Sequence, residues 1–239
     1  MGLANAFPDA VMTFRVEGFP VPAGVIAFLD EWFGDGESVP ACTSGSTGAP
    51  RRVDLLKDDM LASAALSNAY FGVTSRSTLL LCLSPGYIAG KMMIVRAILA
   101  GARLLAVEPS RDPLAVLPGE ERVDLAAMVP LQVEATLARE DGTGRLARVR
   151  QLLVGGAALS PSLEGRLGGL PVECHASYGM TETASHVALR RVNGPRASRL
   201  YATLGNTRLA LDDRGCLVIR APHLRLGIFI TNDLARLDG

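Results

Sequence analysis

The sequence predicts an α/β fold of mostly parallel sheets covered by helices, followed by a small antiparallel β sub-domain. Three observations lead there. From residue 39 onward, short leucine-rich or β-branched runs alternate with longer segments whose apolar residues recur three and four positions apart. Parallel βαβ units with right-handed crossovers require that alternation. After residue 198 the texture changes to short runs around the turn-forming Asp212-Asp213-Arg214-Gly215, the mark of a hairpin. Finally, 49% hydrophobic residues in a chain of 239 supply ample material for a buried core.

Taken in order, residues 1–38 are the least regular. Phe14, Val16, Phe19 and Val21 partly alternate, and residues 24–33 read as a short amphipathic helix. Strands are expected at 39–43, 78–83, 103–107, 125–129, 151–154 and 172–176, with helices at 58–71, 88–100, 131–139 and 161–167. Ser160 and Pro161 mark the last helix start, as cap and first helical residue. Beyond 198, runs at 199–211, 216–220 and 226–230 read as a hairpin plus one further strand. The chain is therefore expected to divide into an α/β part, 1–198, and an antiparallel part, 199–239.

Lys+Arg and Asp+Glu both count 24, so no basic field exists to draw nucleic acid or an anionic membrane. Only Lys57 and Lys91 among the basic residues are lysines. Cys42, Cys82, Cys174 and Cys216 lie far apart with no CxxC pair, which reads as core thiols in a reducing compartment. No basic n-region precedes an apolar run at the amino end, and no apolar stretch approaches the ~20 residues of a membrane span. A cytoplasmic protein without membrane or nucleic-acid partners is expected; oligomeric state is not written in the sequence.

The first chemical motif follows the run at 39–43. Thr43-Ser44-Gly45-Ser46-Thr47-Gly48-Ala49-Pro50-Arg51 packs four hydroxyls, two glycines and a cation into nine residues. Glycines let successive N–H groups face one point, while hydroxyls and a guanidinium add donors and charge, all suited to a polyphosphate. The spacing is not that of a Walker A loop. An ordinary Ser/Gly-rich surface turn has the same composition, so the neighbours decide.

The loop resembles the phosphate-loop signature of the adenylate-forming superfamily of acyl-CoA synthetases, luciferases and peptide-synthetase adenylation domains. Arg51 stands where the family has lysine, and its fork is not equivalent to a point charge. Four further segments resemble the same family in its own order. Ser177-Tyr178-Gly179-Met180-Thr181-Glu182 is similar to its second signature. The resemblance implies that Tyr178 stacks on adenine, Thr181 holds the α-phosphate and Glu182 helps bind Mg²⁺. An aromatic face suits a purine, and a single hard carboxylate suits magnesium. A strand-to-helix turn with a capping threonine is the plainer reading of this segment taken alone. Gly155, Gly156 and Ala157 close the run at 151–154, and the resemblance lays this backbone against adenine; a tight turn explains the glycines equally well. Gly215 to Pro222 and Thr231-Asn232-Asp233-Leu234 resemble the last two segments, with Cys216, Ala221 and Asn232 departing from the pattern. By that resemblance Asp233 accepts the ribose hydroxyls.

The chemistry so implied has two halves: a substrate carboxylic acid attacks ATP to give an acyl adenylate, and a thiol, usually coenzyme A, displaces AMP. Catalysis is positioning and charge neutralisation, with Thr181, Glu182 and Arg51 as the catalytic candidates. The compact front end and the string Ser177 to His186 resemble, within the superfamily, the short o-succinylbenzoate-CoA ligases of menaquinone biosynthesis. That substrate carries a second carboxylate, for which Tyr87, Lys91 and His186 are the candidate pocket residues. A solvated lysine and a packing histidine are the plainer readings. The family's small C-terminal domain supplies a catalytic lysine, and the sequence stops at Gly239 before any such segment. The polypeptide is expected to bind ATP or AMP but to adenylate poorly by itself. Another acyl- or aryl-CoA ligase of the superfamily, or a non-catalytic nucleotide-binding module, are the rival expectations.

Overall fold

A computed structural model describes residues 14–18, 20–43 and 51–238. Its frame is an eight-stranded sheet built from β1 (Arg15–Gly18), β4 (Thr78–Leu81), β5 (Arg103–Ala106), β6 (Val123–Met128), β7 (Val149–Val154), β8 (Glu173–Met180), β9 (Ser185–Arg191) and β10 (Ala202–Thr203). The order is β1-β5-β4-β6-β7-β8-β9-β10. The pairs from β1 through β8 are parallel; β9 and β10 continue the sheet antiparallel. The mostly parallel α/β expectation holds.

Both faces are covered, which is why the inner strands are apolar throughout and not alternating. One face carries α1 (Ala23–Phe33), α2 (Lys57–Phe71) and α3 (Ile88–Ala100), whose Phe28, Trp32, Met60, Met92 and Ile94 share a core with Leu79, Leu104 and Leu125. The other carries α4 (Pro130–Leu137), α5 (Gly142–Leu146) and α6 (Pro161–Gly168), which bury Val133, Leu146, Leu163 and Leu167 on Leu80, Leu105 and Leu152. Burying each such side chain stabilises by about 1.5–3 kcal/mol. Helix α6 starts as its sequence dictates: Ser160 Oγ accepts the Leu163 N–H at 3.1 Å and Pro161 takes the first position.

The carboxyl-terminal part forms a three-stranded antiparallel sheet, β11 (Arg208–Leu211), β12 (Cys216–Arg220) and β13 (Ile228–Leu234). Asp212 Oδ1 accepts the N–H groups of Arg214 and Cys216 at 2.9 Å each, closing the expected hairpin turn. Leu217, Ile219 and Phe229 on its inner face belong to the same core as α1, α2 and α3.

Two local expectations need correction. The strand expected at 39–43 is β2 (Ser38–Cys42), but it does not join the parallel sheet. It pairs antiparallel with β3 (Arg52–Leu56), which the sequence reading passed over. Cys42 is exposed, so only Cys82, Cys174 and Cys216 are core thiols; all four are free. Among the described residues no helix is long and apolar enough to cross a membrane.

Candidate functional site

The carboxyl ends of the parallel strands gather the residues that the sequence singles out. Strand β7 ends at Val154, and its continuation lies against β8: a Cβ on Gly155 would stand 2.2 Å from Ser177 Oγ. Ser177 Oγ itself donates to the Val154 carbonyl at 3.3 Å. Gly156 turns the chain with φ of 81°, a left-handed conformation that disfavours any side chain, and leaves Ala157 exposed.

Strand β8 then carries Tyr178, Gly179 and Met180 into a short 3₁₀ turn at Thr181–Thr183. The sequence reading allowed a strand-to-helix turn here; the structure shows a strand-to-strand reversal. Thr183 Oγ1 accepts the Met180 N–H at 3.0 Å, and Ala184, at φ of 54°, turns the chain into β9. An alanine in the left-handed region is strained, and such strain collects at functional turns. Gly179 admits this reversal because any Cβ would meet the Ser185 carbonyl at 2.3 Å. A bulge between Tyr178 and Gly179 separates the aromatic ring from the turn. Thr181 is buried; Glu182 is exposed, with no ion-pair partner among the described residues.

Asp233 reaches the same place from β13, as a strand residue. The Tyr178 hydroxyl donates to Asp233 Oδ2 at 2.6 Å. Burial first, and then the bond to Asp233, push the Tyr178 phenol above its ordinary range.

The hydroxyl- and glycine-rich segment enters from the β2–β3 hairpin. Its base is closed by Thr43 N–H donating to the Arg51 carbonyl at 2.9 Å and Arg51 N–H donating to Thr43 Oγ1 at 3.0 Å. Ser44, Gly45, Ser46, Thr47 and Gly48 lie outside the described residues. β3 runs beside Thr181–Thr183, and Cys42 bridges to Tyr87 at the start of α3. The described ends of the loop, the Thr-Glu-Thr turn and Tyr87 are thus neighbours.

Lys91 and His186 are both buried: the solvated reading of the lysine fails, while the packing reading of the histidine stands. Lys91 turns towards α1, with Nζ 3.6 Å from Glu31 Oε2 and 4.5 Å from the Phe28 ring centre. Burial lowers its pKa, partly countered by Glu31. His186 leads to a residue that the sequence reading missed. Arg96 is 1% exposed and has no carboxylate within ion-pair distance among the described residues. Its donors meet only neutral acceptors: Ser67 Oγ at 2.8 Å, Ser185 Oγ at 2.8 Å, Met93 Sδ at 3.5 Å and His186 Nδ1 at 3.4 Å. Burial pulls its pKa down to about 10, so it stays charged at neutral pH. A guanidinium only donates, so Nδ1 of His186 accepts and Nε2 carries the hydrogen, with no partner of its own. Burial, then the charge of Arg96, holds the His186 pKa well below its usual range. Behind the signature turn there is therefore an unneutralised cation beside a spare donor, an arrangement that favours an anionic or accepting group.

A doubly covered sheet that brings a glycine pair, a tyrosine-to-glutamate turn and an aspartate to one end is the core of an adenylate-forming enzyme. Residues 42–220 match the family described as AMP-binding enzyme, and the chain belongs to that family. It is similar to an acyl-CoA synthetase (AMP-forming)/AMP-acid ligase II-like protein of Dyadobacter fermentans, with 37% identity and a TM-score of 0.82 over 90% of this chain and 61% of that one. It is 35% identical over 88% of its length to CymA of Salinispora arenicola, a probable non-canonical nonribosomal peptide synthetase, of which it covers 3%. To a 2-succinylbenzoate–CoA ligase of Bacillus cytotoxicus it is 27% identical over 81% of its length. The chain spans 43% of that ligase.

Proposed function

We propose that the protein uses ATP and Mg²⁺ to adenylate a carboxylic acid, the first half of an acid–thiol ligase reaction whose second half passes the acyl group to coenzyme A. The observation that carries this reading is the meeting of Tyr178 with Asp233 beside Gly155 and the Thr-Glu-Thr turn. That cluster offers a ring for adenine, a carboxylate for ribose and a hydroxyl for the α-phosphate. The residues present fit magnesium: the ion takes one or two protein carboxylates and fills its shell with phosphate oxygens and water, and Glu182 is an exposed carboxylate with no ion-pair partner among the described residues. Among the described residues no cluster of three or more His, Cys, Asp or Glu competes for it. When bound, the ion neutralises charge on the phosphates. Thr43 and Arg51 hold the ends of the phosphate-binding segment, and Arg51 adds charge at its exit. A buried Thr181 on a strained, tight turn is preorganised to donate to an α-phosphate oxygen.

The substrate we favour is an acid with a second carboxylate, o-succinylbenzoate being the leading member, in line with the name of the Bacillus cytotoxicus relative. Its distal carboxylate would supply the anion that Arg96 and the His186 Nε2–H lack, with Tyr87 at the start of α3 as a further candidate contact; Lys91 already faces Glu31. The likeness to CymA supports a second reading, amino-acid adenylation for transfer to a carrier thiol. The charge of Arg96 speaks against it, because a substrate ammonium nearby would be repelled.

Unfolding with and without ATP·Mg²⁺ tests the nucleotide half. A hundredfold excess over the dissociation constant should stabilise the protein by about 2.7 kcal/mol. No shift would remove the reading. Pyrophosphate exchange across a panel of aromatic diacids, fatty acids and amino acids separates the substrate classes; indifference to o-succinylbenzoate excludes the favoured acid.

A further inference from the structure

Tyr178 and Asp233 come from different sheets, yet they share one hydrogen bond of 2.6 Å between the phenol and Oδ2. A carboxylate only accepts, so the phenol is the donor, and Oδ1 is left for another hydroxyl. The strand beneath is tied down too: Asp233 N–H donates to Thr231 Oγ1 at 3.1 Å, and Thr231 Oγ1 donates to the Leu217 carbonyl at 2.9 Å. On the other side, the Tyr201 ring meets Tyr178 edge-on, with centres 6.4 Å apart at 69°. The tyrosine is braced, and the aspartate hangs from it.

We propose that the Tyr178 hydroxyl is a positioning group for the nucleotide's ribose: it fixes Asp233 so that the free carboxylate oxygen meets the sugar hydroxyls while the same side chain's ring meets the base. This rests on the nucleotide reading above and goes beyond it by giving one residue two separable tasks. Base stacking needs only the ring. Discrimination in favour of a nucleotide bearing ribose hydroxyls needs the oxygen as well, acting through Asp233. The upward shift of the phenol pKa keeps its proton in place across the neutral range, so the donor is always present.

The test titrates the intact protein with AMP and with 2′,3′-dideoxy-AMP, using the parent, Tyr178→Phe, Asp233→Ala and the double variant. Loss of one such hydrogen bond should weaken AMP about fivefold in Tyr178→Phe. Dideoxy-AMP affinity should fall far less than AMP affinity, and an unaltered circular-dichroism spectrum is the control that the variant is folded. Asp233→Ala should weaken AMP at least as much, and adding Tyr178→Phe to it should cost nothing more. Equal losses for both nucleotides in Tyr178→Phe, no loss for either, additive losses in the double variant, or a Tyr178→Phe protein that does not fold would each overturn the positioning role. A parent that binds neither nucleotide sinks the nucleotide reading and this inference with it. A parent that binds both, with any of the other failures, sinks the inference alone.

Discussion

The two ends of the parallel strands treat charge in opposite ways. At the amino-terminal rim, arginines are matched to carboxylates: Arg103 bonds Glu121 at 2.6 Å and Glu17 at 2.7 Å, Arg150 bonds Asp124 at 3.2 Å, and Arg191 meets Glu173 at 2.9 Å. At the carboxyl-terminal rim, Glu182 stands without a cation among the described residues, and behind it Arg96 is buried without an anion among them. Paired charges at the first rim add modest stability. An unpaired buried charge at the second costs stability and is tolerable only where something else compensates it. On the function proposed above, the contrast separates the rim that is structural from the rim that takes the ligand.

The comparison predicts unequal responses to substitution. Arg96→Met removes an uncompensated buried cation, so thermal stability should hold or rise, whereas KM for a two-carboxylate acid in pyrophosphate exchange should rise about 100-fold. Equal losses for monocarboxylic acids, or a clear drop in stability, would break the contrast.

Acidification should act next. His175 has its pKa lowered to about 4, chiefly by burial, and burial likewise holds His186 well below its usual range, so both are neutral in the fold while the unfolded chain protonates near 6.5. The unfolded state then binds more protons below that value, and stability falls as pH drops from about 6.5 towards about 4. Each group contributes up to about 1.4 kcal/mol per pH unit. Denaturant unfolding across that range measures the slope, and His175→Gln should flatten it.

Glu182→Gln should weaken the magnesium-dependent part of ATP binding about tenfold while sparing binding in chelator. Titration of ATP over a magnesium series reads this; an unchanged metal dependence would take Glu182 out of the metal's reach. The smallest effect belongs to the amino-terminal rim. Arg103→Met should cost about 1 kcal/mol in unfolding free energy and leave nucleotide affinity untouched. A loss of affinity there would show that the rims are not independent.

Much of this was legible in the chain. The recurrence of apolar residues three and four positions apart predicts helix α3 at 88–100, where it is found, although its buried residues occupy every face. The antiparallel end was legible through its Asp-Asp-Arg-Gly turn. The β2–β3 pairing was not, since its two strands are separated by the hydroxyl-rich loop and Arg52–Leu56 is too short to show a period. The reversal at Thr181–Thr183 was read as a possible helix start because Thr and Glu suit a cap; nothing local announces that Ala184 adopts a left-handed conformation. Of the site, Tyr178, Asp233, Gly155 and the Thr-Glu pair were named from their motifs, and the structure brings them together. Arg96 belongs to no motif. A single charge within Met-Met-Ile-Val-Arg-Ala-Ile-Leu was the available signal, but a sequence does not say whether an acid will face it.

The tightness of the reversal between β8 and β9 limits how this segment can vary in length. Strand side chains alternate faces with a period of two. One residue inserted between Thr181 and Ser185 would put His186 where Val187 packs and exchange the two buried faces all along β9, setting each side chain in a space shaped for its neighbour. The chain can drift in composition here, but its residue count between the two strands is locked.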